Sequence, residues 1–146
     1  MQKKTFIAIS LGCAMSATLT LAHQGATGIV KTRMDSFSQS QRDLKSSFTA
    51  VKAGDWEGVI AKARAMAKWG QKIPSMFPEG SNNPPSEASP KIWEDMSGFT
   101  AASLDFVAAA ENVIATAETA NKKDTIAALK ALGQTCSACH KNYRVK

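Results

Sequence analysis

Apolar residues in the first part of the chain recur at every seventh position, and a second set follows at an offset of four. Between about Thr27 and Lys52 the two sets are Val30, Phe37, Leu44 and Val51, and Met34, Gln41 and Phe48. This spacing places both sets along one face of an α-helix, and that face must pack against other helices. A half-buried strand would instead need alternation at every second residue, so the repeat limits this segment to a helix in a bundle.

Two further amphipathic segments follow, separated by a long irregular stretch. The second segment opens at Gly54 and Asp55 and closes at Pro74, with its apolar face formed by Trp56, Val59, Ile60, Ala63, Met66 and Ile73. Residues 74 to 89 are rich in proline, glycine and asparagine, which indicates a loop. The third segment begins with Ser89 as the N-cap and Pro90 at the first helical position, and its apolar face carries Ile92, Met96, Phe99, Phe106, Ala110, Val113 and Ala117.

A polar break at Asn121 precedes a fourth amphipathic segment. Its apolar face carries Ile126, Leu129, Leu132, Cys136, Cys139 and Tyr143. Four helices joined by two short connections and one long connection predict an all-α fold, an antiparallel up-down-up-down four-helix bundle.

Residues 1–22 have the pattern of a secretory signal peptide. Two lysines precede an uncharged apolar stretch, and Ala22 is a suitable residue before a cleavage site. An uncleaved membrane anchor is disfavoured because the stretch is short and lacks a basic flank on its far side. Lipidation at Cys13 is disfavoured because apolar sequence continues beyond it. We therefore expect a mature domain of residues 23–146 in the bacterial periplasm.

The net charge of the mature chain and the distribution of its charged residues exclude some classes of binding partner. Removal of Lys3 and Lys4 with the signal peptide lowers the formal net charge from +6 to +4. The remaining basic residues are scattered among acidic residues and do not form the dense stripe that nucleic-acid binding requires. We expect neither nucleic acid nor a membrane as a partner of the mature chain.

The segment Cys136-Ser137-Ala138-Cys139-His140 has the spacing that attaches a c-type haem. Two thiols three positions apart lie on one helical face, where each can add to a vinyl group of the porphyrin while the adjacent imidazole reaches the iron. A zinc site would need four ligands, and the mature chain adds only His23 and His140 to the two cysteines. The motif predicts one covalently attached haem c, carried by the last helix, with His140 as an axial ligand of the iron.

The second axial position of the iron decides the chemistry. A second histidine ligand is excluded, because the remaining imidazole of the mature chain is that of His23 at its predicted terminus. On the first helix, Met34 lies one turn before Phe37 on the same face, so either side chain can face the iron. Methionine would give a six-coordinate electron carrier, whereas phenylalanine would leave the iron five-coordinate.

The residues around the haem motif resemble those of the cytochrome c prime family. The motif continues as Lys141-Asn142-Tyr143-Arg144 at the end of a four-helix chain. Further matches are Lys31-Thr32-Arg33, Met76-Phe77-Pro78-Glu79-Gly80 and Pro90-Lys91-Ile92-Trp93. The resemblance covers nearly the whole mature chain and implies a homodimer formed through the first two helices.

The resemblance also assigns roles to individual residues. The distal position of the family falls four residues after Arg33, on Phe37, and an apolar residue there implies a five-coordinate iron. Low-spin relatives have methionine at that position. Met34 departs from the glutamine that is frequent in the family, and it is expected at the haem edge or as the alternative axial ligand. Arg144 is expected on the proximal side beside His140.

The pocket around the haem is expected to include further residues. The resemblance places Arg33 toward the haem edge, where it could pair with a propionate. Trp93, Phe99 and Tyr143 are expected to form the pocket walls.

A five-coordinate ferrous haem in an apolar interior binds small diatomic molecules. Phe37 offers no hydrogen-bond donor to dioxygen and would crowd carbon monoxide, whereas nitric oxide binds iron strongly enough to tolerate both. We therefore expect a nitric-oxide-binding protein that buffers, carries or removes the gas. It would also exchange electrons with a periplasmic redox partner.

Two other functions were compared with gas binding. No distal histidine is available for acid-base work, so the chain is not expected to be an enzyme. The alternative to gas binding is a low-spin electron-transfer cytochrome of the c-556 type, in which Met34 and His140 both bind the iron.

Overall fold

The computed structural model describes residues 25–145, which form four long helices. These are α1 (Gly28–Ala53), α2 (Trp56–Lys72), α4 (Met96–Glu118) and α5 (Lys122–Tyr143), with a single-turn helix α3 (Lys91–Glu94) directly before α4. Helix α1 packs against α2 and α5, and α4 packs against the same two helices, so α1 and α4 occupy diagonal corners. The predicted all-α four-helix bundle is confirmed. The predicted signal peptide and His23 lie outside the described residues.

The turn between α1 and α2 is short because two adjacent residues end one helix and begin the next. Gly54 adopts the left-handed conformation, with φ of 76°, in which its amide donates to the carbonyls of the last turn of α1. Asp55 then accepts a hydrogen bond from the amide of Gly58 at 2.9 Å and caps α2. Gly54 and Asp55 were predicted to separate these helices, and they do.

The third predicted segment is two helices rather than one, so the prediction of a continuous helix from Pro90 is wrong. Asp95 leaves the helical conformation with φ of −135° and ψ of 62°. Its carboxylate accepts a hydrogen bond from the amide of Gly98 at 2.9 Å and caps α4. An aspartate side chain competes in this way with the backbone of a helix interior and starts a new helix instead.

The core lies mainly between α2 and α4, where small residues let the two helices approach closely. A Cβ atom on Gly70 would lie 2.6 Å from Val107 Cγ2. Ser103 donates a hydrogen bond to the carbonyl of Gly70 at 2.6 Å. The fully buried apolar side chains around this contact include Val59, Ala63, Met66, Ala110 and Val113. Within residues 25–145 no helix is both long enough and apolar enough to cross a membrane.

The apolar face of α1 is less buried than its pattern predicts. Val51 is 1 % exposed, but Phe37 and Leu44 are only half-buried. Both side chains line a cavity instead of packing fully against neighbouring helices. Part of the apolar face of α1 therefore lines the cavity instead of packing against other helices.

Candidate functional site

A cavity of about 820 Å³ lies inside the bundle. Its walls come from α1, α4 and α5, and residues 85–88 of the long loop cover part of it. Sites that enclose small ligands have volumes of about 300–1,000 Å³. The sequence-predicted site residues in its lining are Arg33, Met34, Phe37, Phe99, Cys136, Cys139, His140, Tyr143 and Arg144.

Both cysteines of the motif face this cavity as free, half-buried thiols. Burial raises the pKa of Cys136. Burial, together with the nearby Cys136, raises the pKa of Cys139 to about 11. Both groups are therefore thiols rather than thiolates at neutral pH.

His140 lines the same cavity one residue after Cys139. Partial burial and then the charge of Arg144 lower the pKa of His140, against a smaller opposing effect of Glu87. The imidazole is therefore neutral at neutral pH, which is the form that binds a metal.

Phe37 on α1 faces His140 on α5. Their ring centroids are 6.4 Å apart and the rings are inclined at 73°. The ring of Trp69 contacts Phe37 edge-on at 5.2 Å, and the ring of Phe77 lies 6.4 Å away. These neighbours fix the Phe37 ring in place. Met34, one turn earlier on α1, also lines the cavity and is half-buried.

Arg33 is a buried cation at the edge of the cavity, with 2 % of its surface exposed. Its Nη1 atom donates to the carbonyl of Met76 at 3.1 Å and to Ser81 Oγ at 2.8 Å, and its Nη2 atom donates to Ser86 Oγ at 2.7 Å and to the carbonyl of Ser81. The guanidinium carbon lies 4.1 Å from the centre of the Phe77 ring. Burial lowers the pKa of Arg33.

The charge of Arg33 has no counter-ion among residues 25–145, because none of their carboxylates forms an ion pair with it. A buried charge without an opposite charge is unfavourable. This cation therefore suits a ligand that brings a carboxylate to the cavity.

Tyr143 and Phe99 lie together in the lining of the cavity. Their rings meet edge-on with centroids 5.2 Å apart, and both line the cavity. Trp93, in contrast, does not line the cavity. Its Nε1 atom donates to the carbonyls of Phe77 and Pro78 at 3.1 and 3.2 Å. The indole therefore supports the long loop instead of forming the expected wall.

The end of the chain is fastened to the long loop beside His140. The guanidinium of Arg144 forms an ion pair with Glu87 and donates a hydrogen bond from Nε to Oε2 at 2.6 Å. The amide of Val145 donates to the carbonyl of Glu87 at 2.9 Å, and the amide of Ser89 donates to the carbonyl of Tyr143 at 3.0 Å. Glu87 was not predicted as a site residue, because a loop sequence does not indicate which distant side chain each of its residues contacts.

Trp69 and Phe77 were also missed as site residues. The ring of Trp69 contacts Phe37 edge-on, although Trp69 was not among the predicted site residues. The signal that could have identified Phe77 was its position in the segment Met76-Phe77-Pro78-Glu79-Gly80, which was part of the resemblance.

The residues of the cavity fit a covalently held haem. The cavity provides two free thiols and a neutral imidazole on one helix, aromatic walls, and a buried cation without a counter-ion. A haem has a group to match each of these: vinyl groups for the thiols, iron for the imidazole, apolar faces for the aromatic walls and carboxylates for the cation. The chain also matches the family model described as Cytochrome C' over residues 28–144.

This chain belongs to the cytochrome c' family. Proteins of this family carry covalently attached haem c, one for each chain, and this cytochrome is a haem c protein.

The relatives include proteins named cytochrome c' and proteins named cytochrome c-556. The chain is 40% identical to a cytochrome c' from Rhodospirillum rubrum over 83 residues, which is 56% of each protein. It is 30% identical to a cytochrome c-556 from Agrobacterium fabrum over 150 aligned residues, which span 100% of this chain and 98% of that relative.

Solved structures show the same fold. A cytochrome c' from Rhodobacter sphaeroides has a TM-score of 0.71 at 26% identity, covering 81% of this chain and 95% of that one. The nitric oxide complex of a variant cytochrome c prime from Alcaligenes xylosoxidans has a TM-score of 0.71 at 23% identity, covering 81% and 94%.

Proposed function

We propose that this cytochrome binds a small diatomic gas, nitric oxide, at a five-coordinate haem held by residues 136–140. Each of Cys136 and Cys139 adds across one vinyl group of the porphyrin, so that a carbon–sulfur bond forms and the thiol hydrogen moves to the neighbouring carbon. His140 binds the iron through its neutral imidazole. The bound haem supplies an iron that takes up diatomic ligands and single electrons. The proposal assigns ligand binding and electron transfer, not enzymatic turnover.

The observation that carries this proposal is the position of Phe37 opposite His140. A phenyl ring has no atom that can bind iron, and its contacts with Trp69 and Phe77 hold it in place. It also has no hydrogen-bond donor for dioxygen. Phe37 therefore gives a ligand in this space no polar contact, which favours nitric oxide because it binds iron strongly. The nitric oxide complex of the Alcaligenes xylosoxidans neighbour supports the same ligand.

Arg33 is proposed to bind a haem carboxylate at the edge of the cavity. Its buried charge has no carboxylate partner among the described residues, and it already holds the loop that covers the site. A propionate would supply the missing counter-ion. Phe99 and Tyr143 are proposed to contact the porphyrin, and Arg144 to lie on the side of His140.

The absorption spectrum of the reduced holoprotein tests the vacant position. We expect a broad high-spin Soret band that changes when nitric oxide is added. Phe37→Met should place a thioether opposite His140 and give sharp low-spin bands. Met34→Leu is the matched control and should leave the wild-type spectrum unchanged. A wild-type spectrum with sharp low-spin bands that Met34→Leu abolishes would overturn the proposal.

The second candidate is an electron-transfer cytochrome in which Met34 and His140 both bind the iron. It is favoured by the presence of Met34 in the cavity lining and by the c-556 relative, which matches over its whole length. The Met34→Leu spectrum separates the two functions. A shift from low spin to high spin in this variant would establish the second candidate.

We also propose that the protein is exported to the periplasm and forms a homodimer through α1 and α2. The N-terminal pattern of residues 1–22 supports export, and the fold neighbour described as having a ligand-controlled dimer dissociation supports a homodimer. Fractionation of cells that express the full chain tests the location. Sedimentation velocity of the holoprotein with and without nitric oxide tests the dimer, and a monomer at all concentrations would contradict it.

A further inference from the structure

Charge is distributed unevenly over the four long helices. Helix α4 carries Asp105, Glu111 and Glu118 and no basic residue. Helix α5 carries four lysines against the single acidic residue Asp124, α1 carries five basic residues against two acidic ones, and α2 carries four basic residues against Glu57. Because α1 and α4 lie at diagonal corners, the corner opposite α4 has a net positive charge.

The cavity opens on this positive side, between α1 and α5. Of the residues that these two helices contribute to the cavity lining, the exposed ones are Gln41 on α1 and Ser137 and His140 on α5. Gln41 and Ser137 are uncharged at any ordinary pH. Two further exposed residues of the lining, Glu87 and Arg144, are charged but form an ion pair with each other. The opening is therefore polar and carries no net charge.

Basic side chains surround this opening. Residues four apart on a helix share a face, so Lys45 lies beside Gln41 and Lys141 lies beside Ser137. Lys130, two turns before Ser137, continues the same face of α5, and Arg42 follows Gln41 on α1. All four are exposed, and none forms an ion pair with a carboxylate in the described part of the chain. We call these four residues, with Gln41 and Ser137, the mouth face.

Acidic residues near the mouth face do not cancel its charge. Asp35 forms an ion pair with Lys31. The carboxylate of Asp43 is half-buried and accepts a hydrogen bond from Gln39 at 2.9 Å, so it offsets at most one of the four positive charges. Glu87 forms an ion pair with Arg144.

We propose that the mouth face is the docking surface for an acidic redox protein. The proposal rests on the haem site proposed above, because a partner would reach a haem held in this cavity through its opening. Opposite charges steer a partner to the basic side, while the acidic α4 side repels it. A neutral centre surrounded by hydrated lysines suits the small, transient interfaces of electron-transfer encounters, which bury less than about 1,200 Å².

The first test measures how fast hexacyanoferrate(III), an anion, oxidises the reduced holoprotein in stopped-flow experiments. The variant Lys45→Glu with Lys141→Glu reverses two charges at the mouth face. The variant Lys122→Glu with Lys123→Glu makes the same change in net charge at the start of α5, about 21 Å from Ser137 at 1.5 Å per residue. At about 0.1 M salt the Debye length is about 10 Å, so the control charges are screened from the opening.

We expect the mouth-face variant to react about tenfold more slowly than wild type at about 0.1 M salt, since local fields change such rates by about 10–10³-fold. The control should change much less, and the difference should largely disappear at about 1 M salt. Equal effects of the two variants, or no effect of either, would overturn the proposal.

The second test uses a protein probe. Reduced, ¹⁵N-labelled holoprotein is titrated with a flavodoxin, an acidic electron-transfer protein, and the amide shifts are mapped. We expect the largest shifts at Gln41, Ser137 and Lys141, and their loss in the mouth-face variant. Shifts confined to α2 or α4 would overturn the proposal. A low-spin spectrum would overturn the gas-binding function but leave these outcomes unchanged, so the two failures can be distinguished.

Discussion

The hydroxyl of Tyr143, three residues after His140 on α5, donates a hydrogen bond to Asp95 Oδ2 at 3.0 Å. Asp95 also caps α4 through the amide of Gly98. One carboxylate therefore joins the end of the helix that carries the haem motif to the start of the helix that forms the opposite wall. The interruption of the third segment at Asp95 is part of how the site is held together.

Tyr143→Phe should lower the melting temperature at neutral pH by several degrees. The hydrogen bond of Gly98, followed by those of Tyr143 and Ser97, lowers the pKa of Asp95. A carboxyl group whose pKa is lowered by folding stabilises the protein above its unfolded pKa of about 3.9, and this contribution is lost as the pH falls through the folded pKa. Melting curves from pH 7 to pH 2.5 should therefore show the gap between wild type and variant closing in acid.

Ser97→Ala is the control for this pH dependence, since Ser97 donates to the same carboxylate at 3.1 Å without contacting α5. Its effect should be smaller than that of Tyr143→Phe. A gap between Tyr143→Phe and wild type that stays constant with pH would show that the ionised carboxylate is not involved.

Arg33→Met should lower the free energy of unfolding by about 2–4 kcal/mol, because it leaves several buried acceptors of the long loop without a donor. Urea denaturation of the holoprotein measures the loss, and hydrogen exchange should become faster at Ser81. Arg33→Lys keeps the charge but not the planar arrangement of donors, so it should recover only part of the stability. Arg42→Met, an exposed change on the same helix, should have little effect, and an equal loss in both variants would contradict this role of Arg33.

Gly70→Ala should destabilise the fold by about 1–3 kcal/mol, the usual result of overpacking. The new methyl group would lie 2.6 Å from Val107 Cγ2 and 2.9 Å from Phe106 Cδ1. Gln71→Ala is the control, because it is an exposed substitution on the same helix and adds no atom to the core. That control should be close to neutral, because alanine and glutamine differ little in helix propensity. Denaturation curves of both variants check the difference, and similar midpoints would contradict it.

Glu87→Gln should loosen the attachment of the chain end with little change in overall stability. The ion pair with Arg144 is exposed, and such pairs contribute about 0.2–1 kcal/mol. Amide exchange at Ser89 and Val145 should therefore become faster, by up to about fivefold. Glu118→Gln breaks a similarly exposed ion pair with Arg64 and should leave both amides unchanged. Unaltered exchange in Glu87→Gln would show that the backbone hydrogen bonds alone hold the chain end.

The spacing of apolar residues predicted the helices because each helix buries the face on which those residues lie. The split at Asp95 was not predicted, because the apolar face of the segment continues through both helices and hides the local cap of Asp95 on Gly98. The same pattern on α1 predicted Leu44 as a packed residue, although it lines the cavity. An apolar side chain that contacts a cofactor and one that contacts another helix look alike in a sequence.

The site was predictable where a motif specifies spacing and unpredictable where loops supply the contacts. Cys136, Cys139 and His140 share one helix, so their spacing alone brought them to one cavity. The contacts of Arg33 with Ser81 and of Arg144 with Glu87 depend on the path of residues 74 to 89, which has no periodicity. Trp93 was misplaced for the same reason, because its partners are carbonyls of that loop.

Phe37 on α1 and the cysteine motif on α5 face each other across the cavity although about 100 residues separate them in the sequence. Neither helix alone can enclose a ligand, so the cavity exists only when the whole bundle has closed. A fragment that lacks α1 would leave residues 136–140 open to water.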